Sequence, residues 1–238
     1  MDETSRGEPV IEPPLGPPHL ADPRALQILS TEHWSLLTAR SLAYNEFFAR
    51  GSMFLTLLSA SLVALGFIYQ GSGGGPDFPL MVIAVLAVDL FVGLATLGRL
   101  AGASSEEMHS LQAMARIRHA YLEMVPTLQP YISASHYDDL GSVLAVYGAL
   151  PERPRALLSA MHGVTTMPGM ISVLNAGIAG GLVGAITFVL VGDARLALVL
   201  GLVALVGTMA ALTVIGIRTF DAQSRFLEAR FPHPGQAG

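Results

Sequence analysis

Cysteine and lysine are both missing from the 238 residues, and charged side chains of any kind make up only 13% of them. Without cysteine there can be no disulfide, no thiolate metal site and no thiol nucleophile. All 13 basic residues are arginine, and the net charge is −5. A chain so poor in positive charge lacks the basic surface that nucleic-acid backbones require, so nucleic acid is not an expected partner. Also missing are a Gly-rich phosphate loop, a nucleophile elbow and a zinc-protease motif, which leaves no positive indication of an enzyme. The first 26 residues carry Pro9, Pro13, Pro14, Pro17, Pro18 and Pro23 and no apolar core. They are not a cleavable signal peptide and read as a disordered acidic tail.

What is present is apolar length. Hydrophobic residues reach 52%, and mean hydropathy is +0.54. Four runs, at 52–70, 79–98, 169–192 and 196–217, are each about as long as the ~20 residues a helix needs to cross the hydrocarbon of a bilayer. The expected fold is therefore all-α, a four-span transmembrane helical bundle. Four crossings place both termini and the segment between spans two and three on one side. That side holds every arginine except Arg195, with Arg50, Arg99 and Arg218 directly at span ends as interface anchors. Positive side chains near span ends are retained in the cytoplasm. Both termini and residues 100–168 are thus expected to be cytoplasmic, with lipid as the surrounding partner.

Helices should extend beyond the first two spans. Asp22-Pro23 and Ser30-Thr31-Glu32 both have the form of a helix start, and from the second no proline intervenes before Gln70. Span two likewise runs on without a proline to about Val125, where Pro126 and Pro130 end it. Trp34, Leu37, Tyr44 and Phe48 recur at three-four spacing, as do Leu111, Met114 and Tyr121. The simplest arrangement packs these stripes together as a cytoplasmic stalk, with Glu32 level with Arg116 or Arg118. Shorter helices are expected at 135–147 and 155–162. The resulting division is 1–26 tail, 27–125 long helix, first hairpin and stalk, 126–168 short helices, 169–217 second hairpin, and 218–238 cytoplasmic tail.

Two constellations could carry function. Asp89 lies near the middle of span two, where a carboxylate costs ~2.5 to 3.5 kcal/mol on insertion scales and must face protein or water. It is a candidate intramembrane proton or ion site. Equally, it could fasten span two to a hydroxyl such as Thr56, Ser59, Ser61, Thr187 or Thr208. Gly177, Gly180, Gly181 and Gly184 in span three form overlapping small-residue patterns that permit close helix approach, to span four or to another subunit. A Glu-x-x-His pair, Glu106 and His109, has no second pair on the same face in His119 and Glu123, so no metal or cofactor is expected.

The stretch from His33 through Leu36, Leu37, Arg40, Ser41, Leu42, Asn45, Glu46 and Phe48 to Arg50 resembles a family of uncharacterised bacterial multi-pass membrane proteins. That resemblance implies a bacterial inner-membrane location and no particular activity. A long juxtamembrane helix feeding a two-span hairpin is similar to SLATT-type membrane effector modules, which implies oligomerisation, although this chain has four spans. The function these features suggest is an oligomeric membrane interaction or pore-forming component, with a membrane or cytoplasmic protein as a further conceivable partner. The alternative is a proton- or cation-coupled transporter using Asp89.

Overall fold

The computed structural model describes residues 22–146 and 166–235 together with Leu20. The expectations for residues 1–19 and for a helix at 155–162 lie outside the described residues. Among the described residues, five α-helices and one 3-10 segment, with no strand, make up an all-α fold: α1 (Ala25–Ser72), α2 (Phe78–Met124), the 3-10 segment (Pro126–Tyr131), α3 (Leu140–Val146), α4 (Met167–Val191) and α5 (Ala194–Ser224). Four of them, α1, α2, α4 and α5, are long and apolar enough to cross a membrane.

Local chemistry accounts for the boundaries. α1 begins at Ala25 and not at Ser30, because Asp22 accepts the Arg24 N–H at 2.9 Å and so closes the first turn, with Pro23 between them. Ser30 and Thr31 are consequently inside the helix, where the Thr31 hydroxyl bonds back to Gln27 O. The helix stops at Gly73, whose φ of 60° suits a residue without Cβ. α2 starts behind Asp77 with Pro79 in its first turn and ends before Pro126. The expected helix at 135–147 is shorter, Leu140–Val146. Asp138 and Asp139 precede it, with the Asp139 carboxylate accepting the N–H and hydroxyl of Ser142. Thr166 caps α4 and Asp193 caps α5, so the second hairpin turns within two residues, Gly192 and Asp193.

α2 is the central mast. It packs on α1 along one flank and on α4 along another, while α4 pairs closely with α5. The span-region core is Phe54, Leu100, Ile171 and Ile178, contributed by α1, α2 and α4. Gly180 and Gly184 bring α4 against α5 so tightly that a Cβ on Gly180 would stand 2.8 Å from Gly201 O. Gly181 instead turns toward Leu86 of α2, and Gly177 meets nothing within 4 Å. The small-residue stripe is therefore divided among an intrachain hairpin, a second helix and open surface.

Candidate functional site

The side chain most out of place in an apolar span is also among the most buried. Asp89, on α2, is 1% exposed. Its Oδ1 accepts the Ser61 hydroxyl of α1 at 2.9 Å, which selects one of the hydroxyls open to it on sequence grounds. Its Oδ2 has no hydrogen-bond partner among the described residues. One turn along α2, Gly93 faces Asn175 of α4 in a contact that leaves no space for a Cβ. Asn175 is 0% exposed. Its amide nitrogen donates to Ile171 O at 2.9 Å, whereas its Oδ1 also lacks a partner among the described residues. A buried polar atom left unpaired costs about 1 to 3 kcal/mol, and two packed helices each carry one within about a turn of Gly93.

Outside the spans a second buried carboxylate is fully engaged. Asp138 is 0% exposed. It accepts Arg116 Nε at 2.7 Å and the backbone N–H groups of Phe231 at 2.7 Å and Arg230 at 3.0 Å. Its own N–H donates to Phe231 O. Burial by itself would raise the Asp138 carboxyl, but the Arg230 N–H, the Arg116 guanidinium and the Phe231 N–H outweigh it and hold the group below its ordinary value. Around this joint, Gln112 donates to Asp138 O and Glu228 O, Arg116 also reaches Glu228 O, and Asp139 accepts His233 N. The ring of His119 stacks on Phe231 at 4.1 Å, with His136, Tyr137 and His233 continuing the cluster. Residues 226–235 are thus docked along α2, where the sequence suggested only a tail. Main-chain donors carry no side-chain signature, which is why this contact leaves no trace in the residue pattern.

The stalk forms, but on a different face of α1. Trp34 is 69% and Phe48 58% exposed, with Leu37 and Tyr44 also turned outward. The covered residues are instead His33, Leu36, Arg40, Ala43, Phe47 and Gly51, of which Gly51 meets Met167 of α4. Each but Arg40 and Gly51 precedes, by one position, a residue of the expected stripe. One residue on a helix is a rotation of ~100°. The relative depth of the two helices matches the expectation more closely than their rotation does: Arg40 meets Glu107 at 3.1 Å, and His33 lies 6.4 Å from the Tyr121 ring. On α2, Leu111 and Met114 are buried. The expected Glu32 contact with Arg116 or Arg118 is replaced, since Arg116 binds Asp138 and Arg118 donates to Ser135 O. At the span border Glu46 bridges Arg50 at 2.8 Å and Arg99 at 3.2 Å, tying α1 to α2, while Arg218 is exposed. Tyr44 and Phe47 also line a cleft of about 260 Å³ against Ala103, Met167 and Pro168.

Asn175 is the functional candidate that the residue pattern offered and the sequence reading passed over. It is a carboxamide inside a span whose other polar side chains are only the hydroxyls of Ser172 and Thr187, and polar groups at that depth demand a partner. His119 and Glu123 approach to 3.7 Å, but no group of three or more His, Asp or Glu among the described residues could hold a metal ion. No known protein family matches the chain, and neither a curated protein nor a solved structure matches it.

Proposed function

We propose that the protein is an oligomeric interaction or pore-forming component of a bacterial inner membrane, with both termini and the stalk on the cytoplasmic side. One observation carries this reading: the outward stripe of Trp34, Leu37, Tyr44 and Phe48 on the part of α1 that precedes the span. Trp34 lies 16 residues before Arg50, about 24 Å along a helix, well outside the hydrocarbon. Soluble surfaces rarely leave a contiguous aromatic and aliphatic stripe uncovered, and such a stripe marks an interaction surface. A second copy of the chain is the partner that the helical-hairpin resemblance favours, and the arginine asymmetry supports the orientation.

Subunit number in detergent tests the reading. The cysteine-free background allows a single Tyr44→Cys substitution to report proximity between copies. An oligomer cross-linked through position 44, and not through an Arg195→Cys control on the opposite side, is the expected result. A monomer without cross-linking would reject it. A reporter fused after Gly238 should be active only in the cytoplasm.

A second reading is favoured by a separate observation, the sealed Asp89 with an unmet oxygen. Under it, the protein couples proton or cation movement to Asp89. Flux into liposomes by wild type and by Asp89→Asn distinguishes the two readings, since equal flux removes transport through this residue.

A further inference from the structure

Asp89 Oδ2 and Asn175 Oδ1 are both acceptors, and no protein donor reaches either among the described residues. The remaining polar atoms of the pair are already committed: Ser61 donates to Asp89 Oδ1, and Asn175 Nδ2 donates to Ile171 O. Flipping the carboxamide offers no remedy, because it would set the Asn175 oxygen against the Ile171 carbonyl. The two side chains also belong to one helix crossing. Leu86, three residues before Asp89, is opposite Gly181 of α4, and Gly93, four residues after it, is opposite Asn175. Residues three and four apart share a helix face, with Cβ atoms about 5 to 6 Å apart. Asp89 therefore points into the crossing that Asn175 closes on the stalk side.

We infer that Asp89, Ser61 and Asn175 form a binding site for one positive charge, either a proton or a small monovalent cation of the sodium class. A carboxylate contributes one negative charge, and no arginine lies within the four apolar runs to neutralise it. A divalent ion on one carboxylate would leave a net buried positive charge, which is costly in an apolar span. In the proton form, the proton sits on Asp89 Oδ2 and is donated in a hydrogen bond to Asn175 Oδ1, which satisfies both orphaned oxygens at once. In the cation form, the ion lies between the same two oxygens. Gly93 is part of the site because only a residue without Cβ lets the carboxamide lie against α2.

This inference deepens the transport reading and rests on its premise that Asp89 takes a cation, but it concerns occupancy and not passage. Its test accordingly measures binding in the purified full chain and leaves flux aside. Infrared spectroscopy at neutral pH should show a protonated carboxyl C=O band in the wild type that is lost in Asp89→Asn and moves to higher frequency in Asn175→Ala. If the occupant is a metal cation, the band is absent and the melting temperature rises in sodium chloride relative to choline chloride. That rise disappears in Asp89→Asn and is mostly lost in Asn175→Ala. A wild type with neither the band nor the sodium dependence overturns the inference, and this readout needs no variant to fold. A neutral bridging water would give that result. Either signal unchanged in Asn175→Ala overturns the part played by Asn175. Occupancy without flux leaves the site standing and removes the transport reading.

Discussion

Asp138 and Asp89 are equally sealed from solvent and are treated in opposite ways by their surroundings. Asp138, in the stalk region, gathers one guanidinium and two main-chain N–H groups. Asp89, in the span region, receives one hydroxyl, with no donor for its second oxygen among the described residues. A carboxylate with donors on both oxygens is a fastening, since both are engaged in holding α2 to residues 230 and 231. One with an oxygen left without a donor among the described residues does no such holding with that atom. The contrast separates the part of the molecule built for cohesion from the part that can take a ligand.

The largest effect should come from removing the fastening. Asp138→Ala removes the acceptor of Arg116 Nε and of the N–H groups of Arg230 and Phe231, and leaving buried donors unpaired costs about 1 to 3 kcal/mol each. Thermal unfolding should move accordingly, and proteolysis between Ser224 and His233 should accelerate. If the variant melts like the wild type, the two aspartates do not differ in the way their partners indicate.

Acid should open the same joint in two steps. Burial, with His119 and His233 nearby, holds His136 below its ordinary 6.5, so the undocked state takes up the proton first. The stability linked to His136 is present above 6.5 and is lost as pH falls through the lower value of the folded state. Asp138 is held below its ordinary 3.8, so its share persists above that value and is lost only in stronger acid. Hydrogen exchange of residues 225–235, corrected for the intrinsic rate, should speed up first below about pH 6.5. Tail amides that become better protected on acidification would reverse the sign.

Gly93→Ala should cost about 1 to 3 kcal/mol by driving a methyl group into Asn175, the usual range for overpacking. Gly98→Ala, whose Cβ would meet nothing within 4 Å, should be neutral or slightly stabilising in a helix. Equal melting temperatures for the two variants would show that Asn175 yields without resistance. The smallest change is expected from Asp89→Asn, within about 1 kcal/mol of wild type, because the amide oxygen still accepts from Ser61. A loss as large as that of Asp138→Ala would make Asp89 a fastening too.

Much of this architecture could be read from residue order. Proline punctuation placed the end of α2, and the length of the apolar runs identified four helices capable of crossing a membrane. The rotation of α1 could not be obtained by following its most apolar face, because Trp34 and Phe48 point away from α2 while Arg40 and His33 point toward it. A better signal was available in Ser61. Counting back from it in sevens gives Phe54, Phe47, Arg40 and His33, the face that packs on α2. That count becomes useful only once Ser61 is identified as the hydroxyl that Asp89 requires.

By itself, the sequence determined what each segment can tolerate: which runs suit lipid, where a helix must stop, and that a carboxylate at position 89 has to turn away from hydrocarbon. These follow from hydrophobicity, backbone freedom and the cost of charge, all properties of single residues and their near neighbours. Only the tertiary structure decided which atoms meet. It set Asn175 against Gly93 beside Asp89, and the main chain of Arg230 and Phe231 against Asp138. Such contacts depend on the relative rotation and depth of helices far apart in the chain. Backbone N–H groups, which fix the Asp138 joint, are the same at nearly every position and leave no distinguishing pattern, and a glycine such as Gly93 is visible in the sequence without revealing which side chain it admits.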